Sequence, residues 1–391
     1  MKNLYFTPYG VGLGHASRLI NIADKIQDEE IKVKFSSYGE AVEFISRCGY
    51  NCSDVPPVEF SWNTLGSFSF KNTISNIPTW FSNFSIQVIR EVENMTNFSP
   101  HLVVSDSRLS SIISAKLLGI PSIVILNQIK LLLSPRLHSF KIARLFEEIN
   151  AEFMGIFWSI SDEILVPDLP PPYTISENNT WNTGSVTKKI KYIGFISPPH
   201  RISENQIKKV LKLLNFSKSK PIIFFHISGP PKTRIPIVTK ILKMKESFGS
   251  NLQFIISGGK PNGETIPRKI SENGWYYEWC PIRDELFALS DIIVIRGGHT
   301  AISQAIQFGK PIISIPIDNH AEQINNSVKI SRIGLGTKLD NNEITPKKIV
   351  ESIYEILDNS NYLMKSNEIM NISNKLNGVE NVVDIVRSYI R

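Results

Sequence analysis

The chain has 391 residues, 42% of them hydrophobic and 20% charged, with a formal net charge of +7. Those proportions exclude a disordered chain, a collagen-like repeat and a disulfide-stapled miniprotein, and the length suits two or three domains of ordinary size. The positive excess favours anionic partners such as nucleotides, phosphates or acidic lipid head groups; it is scattered, without an Arg/Lys block or a helix-turn-helix pattern, so no nucleic-acid partner is expected.

Three cysteines, Cys48, Cys52 and Cys280, lack the pairing of a disulfide framework and the spacing of a zinc site, which fits a reducing, cytoplasmic setting. The opening ten residues are too short and broken for a signal peptide. The longest apolar stretch, Leu117 to Leu133, is interrupted by Gly119, Pro121, Asn127, Gln128 and Lys130, unlike the roughly 20 apolar residues of a membrane span.

In chain order, a strand over Asn3 to Thr7 leads into a helix from His15 to Asp28, then a strand over Lys32 to Ser36 and a helix from Glu40. Further on come a strand over Leu102 to Ser105, a helix over Ser110 to Leu118 and a strand over Ser122 to Leu126. Short apolar strands alternating with helices predict an α/β fold with a parallel sheet covered on both faces. Residues 167–199, rich in proline and polar side chains, read as a boundary. The alternation then resumes with strands over Pro221 to His226, Leu252 to Ser257, Gly274 to Tyr277, Ile292 to Ile295 and Pro311 to Ile315. The pattern predicts two Rossmann-like doubly wound domains, 1–195 and 196–391, facing a central cleft, with the last helix free to pack back on the first domain.

Open parallel sheets bind ligands beyond the carboxyl ends of their strands, so the loops that follow strands and open helices are where chemistry is expected. The first is Gly10-Val11-Gly12-Leu13-Gly14-His15-Ala16-Ser17-Arg18. It is a poor dinucleotide fingerprint, because His15 stands where the last glycine belongs and no carboxylate ends the second strand. A histidine at a helix start, where the dipole disfavours protonation, suits a general base; a capping or packing histidine is the plainer alternative. Asp106, directly after the strand Leu102 to Ser105, falls at the same sheet edge and could orient the ring, or simply cap the next helix.

In the second half, Ser228 and Gly229 follow a strand and precede Lys232 and Arg234, a moderate signal for a diphosphate turn. The segment Trp279 to Asn326 is the strongest. It runs from Trp279-Cys280-Pro281 through a strand to Arg296-Gly297-Gly298-His299-Thr300, where a helix start and a hydroxyl form an anion site. Gln304 lies one turn further, at sugar distance from that site, and the polar loop from Pro316 to Asn326 contains Glu322 and Gln323.

This segment resembles the donor-binding signature of GT-B glycosyltransferases, both the motif of plant UDP-glycosyltransferases that opens W-C/A-P-Q and ends D/E-Q, and the R-x-G-x-x-T-x-x-E pattern of the bacterial GlcNAc transferase that makes lipid II, of the glycosyltransferase 28-like group. Gly10 to Arg18 is similar to the family's G-x-G-G-H loop, so the resemblance spans the chain. It implies that Trp279 stacks on uracil, that Arg296, Gly298, His299 and Thr300, with Ser228 and Gly229, surround the diphosphate, that Gln304 takes the ribose, and that Glu322 and Gln323 bind the transferred sugar. It implies His15 as base and Asp106 as its partner, with Gly12, Gly14 and Arg18 in the acceptor-side loop. Three positions depart from the family pattern: Gln304 for glutamate, Ile282 for the plant glutamine, and Arg296, which follows the bacterial form.

No Asp-x-Asp occurs, so no metal and no cofactor beyond the nucleotide-sugar co-substrate is expected; helix N-termini and cations would stabilise the leaving group. The expected reaction is an inverting, metal-independent transfer of a hexose or N-acetylhexosamine from a UDP-sugar. Phe60, Trp62, Phe68, Phe70, Trp80, Phe81 and Phe84, with the basic and apolar residues of 129–146 (Lys130, Leu131, Leu132, Leu133, Arg136, Lys141 and Arg144), suggest a hydrophobic, lipid-linked acceptor and peripheral contact with an anionic membrane on its cytosolic face. Competing readings are a UDP-sugar 2-epimerase, disfavoured by Gly12, Gly14 and His15, and a non-catalytic nucleotide-sugar-binding protein, disfavoured by His15 with Asp106.

Overall fold

In the computed structural model, described for all residues except 12, 28–29, 59–76, 131, 134–139, 181–183, 185, 187–188, 198–201 and 261–262, the chain divides into two units. One runs from the N-terminus to Ser197 and regains residues 376–391; the other covers Ile202 to Lys375.

Among the described residues, the first unit holds seven parallel strands: β1 (Lys2–Pro8), β2 (Ile31–Ser37), β3 (Cys52–Asp54), β4 (Leu102–Asp106), β5 (Ser122–Ile125), β6 (Glu163–Val166) and β7 (Ile190–Tyr192). Their order is β3-β2-β1-β4-β5-β6-β7. The direction of winding therefore reverses between β1 and β4, and loops leaving those two strands part to opposite faces and open a crevice. Central strands are apolar throughout because helices cover both faces: β4 and β5 are buried along their whole length. On the helix Leu13–Ile26, Ala16, Leu19, Ile20, Ala23 and Ile26 recur at helical spacing and lie in the core with Val382, Val383 and Val386 of the final helix, Gly378–Ile390. That last helix is thus a structural part of the first unit.

The proline-rich stretch read as a boundary is folded into the first unit. Asp168, fully buried, accepts hydrogen bonds from the backbone N–H groups of Leu169, Ile175 and Ser176 and from the Ser176 hydroxyl, and so organises the chain around it. The strand β7 follows and completes the sheet.

The second unit holds β8 (Ile222–His226), β9 (Gln253–Ser257), β10 (Arg268–Ser271), β11 (Gly274–Tyr277), β12 (Ile292–Ile295), β13 (Ile312–Ser314) and β14 (Gly336–Lys338). The order is β10-β11-β9-β8-β12-β13-β14, with β10 alone antiparallel, as the outer member of a hairpin with β11. Here the reversal falls between β8 and β12, which brings the loops after His226 and Ile295 side by side. No helix among the described residues is long and apolar enough to cross a membrane.

Candidate active site and donor loops

In the first unit, Pro8 at the end of β1 is in register with Asp106 at the end of β4, and the Tyr9 N–H donates to the Asp106 carbonyl at 2.9 Å. The chain then turns through Gly10, where a Cβ would lie 2.3 Å from the Tyr38 ring, so only glycine fits. Gly12 lies outside the described residues. Gly14 and His15 fall in the first turn of the helix. His15 Nδ1 reaches Asp106 Oδ1 at 2.7 Å, and Tyr9 packs edge-on against the imidazole at 5.6 Å.

Arg18, one turn further along the same helix, grips both oxygens of that carboxylate: Nε donates to Oδ2 at 2.8 Å and Nη2 to Oδ1 at 2.9 Å. The Ser107 hydroxyl adds a contact to Oδ1 at 3.2 Å. Asp106 has no exposed side-chain surface, and burial by itself would raise its carboxyl; Arg18 and His15 outweigh that and hold it well below the usual carboxylate range. An ionised carboxylate only accepts, so the 2.7 Å contact calls for the hydrogen on His15 Nδ1; Arg18 Nη2 also lies 3.0 Å from that nitrogen. This tautomer leaves Nε2 with a free lone pair on a ring that keeps 22% of its side-chain surface exposed. The sequence brought His15 and Asp106 to one sheet edge; it gave no sign that Arg18 binds the carboxylate.

The turn that carries Asp106 is braced from below. Ser107 adopts a left-handed φ of 62°, and the Arg108 carbonyl accepts from the hydroxyls of Ser105 and Ser111 at 2.8 and 2.9 Å. The Arg108 guanidinium pairs with fully buried Glu91 and donates to the Ser36 carbonyl at 2.6 Å, while Tyr5 donates its hydroxyl to Glu91 at 2.8 Å. These residues lie on β1, β2, β4 and the helices Ile77–Phe98 and Leu109–Leu117, which is why no local motif announced them.

In the second unit, Ser228 and Gly229 follow β8, and Gly229 is left-handed with φ 111°. Arg234, read as one of two cations near a diphosphate, uses Nη1 on the carbonyls of Gly229 and Gly259, at 3.1 and 2.7 Å, and so ties two loops together. Beside them, after β12, buried Arg296 donates Nη1 to the Thr233 carbonyl at 3.0 Å, and its Nε has no partner among the described residues. Burial pushes the Arg296 guanidinium down to about 10, which leaves it cationic at neutral pH.

Gly297 is left-handed at φ 80°, and a Cβ there would lie 2.7 Å from Ser327 Oγ. Gly298 differs: it opens the helix His299–Gln307 without a capping side chain, and a Cβ on it would meet nothing within 4 Å. The first N–H groups of that helix therefore border open space, with Thr300 exposed and His299 buried. Gln304 is buried, and its Nε2 donates to Asp284 Oδ1 at 2.5 Å. Asp284 went unnoticed in the sequence, although a glutamine at the usual glutamate position was the signal to look for a nearby carboxylate. Gln323 accepts the Ile317 N–H at 3.0 Å on its side-chain oxygen and so shapes the polar loop; Glu322 is half-buried in the first turn of the helix Ala321–Arg332. The Trp279 indole is 42% exposed.

Residues 233–383 match the model of the glycosyltransferase family 28 C-terminal domain. An uncharacterized glycosyltransferase of Methanosarcina mazei is 26% identical over 381 residues, covering 96% of both chains. The UDP-N-acetylglucosamine–N-acetylmuramyl-(pentapeptide) pyrophosphoryl-undecaprenol N-acetylglucosamine transferase of Clostridium botulinum is 24% identical over 187 residues, 46% of this chain and 51% of that one. Among solved structures, a calicheamicin glycosyltransferase superposes with a TM-score of 0.70 at 12% identity, covering 100% of this chain and 98% of its own. A spinosyn rhamnosyltransferase complexed with thymidine diphosphate gives 0.66 at 11% identity, with both chains fully covered.

Proposed function

We propose a specific reaction for this chain, which is a glycosyltransferase of the GT-B fold resembling family 28: inverting, metal-independent transfer of a hexose or N-acetylhexosamine from a UDP-sugar to a hydroxyl of a lipid-linked acceptor. The observation that carries it is the 2.7 Å contact of His15 Nδ1 with ionised Asp106, which leaves Nε2 as the proton acceptor. His15 takes the acceptor hydroxyl's proton. The oxygen forms its bond to the anomeric carbon as the bond from that carbon to the diphosphate oxygen breaks, and UDP leaves with the electron pair. A single in-line displacement inverts the anomeric centre.

The second unit supplies the donor loops. Backbone N–H groups at Gly298 to Thr300, with Ser228, Gly229 and the Arg296 cation, bind and stabilise the departing diphosphate; without an Asp-x-Asp in the chain, these groups take the role a divalent ion has elsewhere. Trp279 receives the base on its exposed indole, Gln304 with Asp284 faces the ribose, and Glu322 and Gln323 select the sugar. A nucleotide-sugar donor is supported by the thymidine diphosphate bound to the spinosyn enzyme and by the substrate in the name of the Clostridium relative.

For the acceptor, support comes from the helix Lys141–Trp158. Ile142, Leu145, Ile149, Phe153 and Ile156 recur on one face and are all exposed, Ile142 by 78%, with Lys141 and Arg144 at the helix start. An apolar stripe flanked by cations suits the surface of an anionic bilayer, and hence peripheral membrane contact at its cytosolic face. Of the aromatic cluster read from the sequence, Trp80 and Phe84 stack at 5.3 Å, while Phe60, Trp62, Phe68 and Phe70, like Leu131 and Arg136, lie outside the described residues.

The reading is tested with a panel of UDP-, dTDP- and GDP-sugars, in the presence of chelator, with lipid-linked and soluble acceptors and detection of released nucleotide. Preferential release of UDP and a product of inverted anomeric configuration are expected. Retention of configuration, or release only after a divalent metal is added, would contradict it.

A further inference from the structure

We propose that Arg18 is a positioning residue for this reaction, whose guanidinium fork fixes Asp106 as the acceptor that sets the tautomer and orientation of His15. The inference rests on the reading of His15 as the base and adds to it a third member, one that never meets substrate.

The geometry is that of a two-pronged clamp. Nε and Nη2 of Arg18 reach separate oxygens of Asp106, at 2.8 and 2.9 Å, so the carboxylate plane cannot rotate without breaking one of them. Oδ1 thereby stays 2.7 Å from His15 Nδ1. Spacing on the helix makes this possible: His15 and Arg18 stand three residues apart and share a face, so both side chains converge on one carboxylate from one element. Arg18 is itself buried, and its guanidinium meets Asp106 and, at 3.0 Å, His15 Nδ1, which assigns its role to this pair.

Charge supplies the second reason. A base has to start as the neutral imidazole, and without Arg18 a carboxylate with no exposed surface would then have only His15 Nδ1–H and the weaker Ser107 contact to keep it ionised. Burial favours the protonated acid under those conditions. A protonated Asp106 no longer demands the hydrogen on Nδ1, and the ring is free to place it on Nε2, where it blocks proton acceptance. A guanidinium held against the carboxylate removes that failure.

A purely structural role, pinning the helix to β4, would change stability without changing chemistry per folded molecule. The full-length Arg18→Met, Arg18→Lys and His15→Ala variants separate the two. The readouts are thermal unfolding, UDP binding by calorimetry, and kcat for UDP release from the most active UDP-sugar of the donor panel, with and without added methylguanidinium. The expected result is a loss of kcat of roughly 100-fold or more in Arg18→Met, UDP affinity unchanged, recovery of at least roughly tenfold with methylguanidinium, and an intermediate rate for Arg18→Lys, which keeps the charge and loses the fork. Full kcat in Arg18→Met or Arg18→Lys, or a loss that methylguanidinium does not relieve, would overturn the proposal while His15→Ala remains inactive. Turnover in His15→Ala would instead remove the base reading, and the proposal with it.

Discussion

Asp106 Oδ1 accepts from His15 Nδ1 at 2.7 Å across the reversal point between β1 and β4, and this one bond decides which ring nitrogen is free for chemistry. Asp106→Asn keeps the shape and removes the charge. Its amide can present an N–H to the ring and so stabilise the wrong tautomer. We expect kcat to fall roughly 100- to 10,000-fold, with an unchanged circular dichroism spectrum. Turnover near the wild-type rate would show that the tautomer is set elsewhere.

Restoring the family's glutamate at position 304 is expected to harm this protein. The Gln304 amide donates to Asp284 at 2.5 Å, so Gln304→Glu would press two carboxylates together. The loss of that charge-assisted bond and the repulsion together cost on the order of 2 kcal/mol. The double variant Gln304→Glu with Asp284→Asn re-forms a carboxylate–amide pair with the roles exchanged. Thermal unfolding and donor KM should both worsen in the single variant and recover in the double; additive damage would argue against the pairing.

Two adjacent glycines should respond in opposite ways. Gly297→Ala forces a side chain into a left-handed position and against Ser327, at a cost of roughly 1–3 kcal/mol. Gly298→Ala meets open space at an ordinary φ of −70°, so its stability should stay within about 1 kcal/mol of wild type. Its methyl group enters the space assigned to the diphosphate, and donor KM should rise roughly tenfold, equivalent to about 1.4 kcal/mol. Equal unfolding midpoints with equal KM values would contradict both assignments.

His226, at the end of β8, gives a pH dependence of stability. Its Nδ1 is buried without a partner among the described residues, the ring lies between Phe224 and Phe287, and burial, with the nearby Arg283 cation, pushes it down to about 3. From about pH 6.5 down to 3 the unfolded chain binds a proton here that the native chain does not. Stability therefore falls with falling pH across that window, by at most about 1.4 kcal/mol per pH unit from this ring. Urea unfolding at pH 7 and pH 5 should show a shallower loss in His226→Phe than in wild type. Identical slopes would mean that the ring is protonated in the native state.

How much of this was readable from the chain depends on the range of the interactions. The central strands were legible because Leu102-Val103-Val104 and Ile292-Ile293-Val294-Ile295 are apolar on both faces, as buried parallel strands must be. The strands β3, β6, β7, β10 and β14 were missed; they are three or four residues long, and β3, β7, β10 and β14 lie at sheet edges where polar side chains break the pattern. His15 and Asp106 could be paired because topology alone carries the ends of adjacent strands together. Arg18, Asp284 and the buried Glu91–Arg108 pair could not, since each acquires its meaning from a partner on another element.

The central claim is that His15 accepts the proton of the acceptor hydroxyl, and it is tested most directly by measuring kcat and UDP affinity for His15→Ala side by side. The account predicts a loss of kcat of roughly 100- to 10,000-fold with UDP binding preserved, because the donor loops belong to the other unit. A His15→Ala enzyme that transfers sugar at the wild-type rate would contradict it.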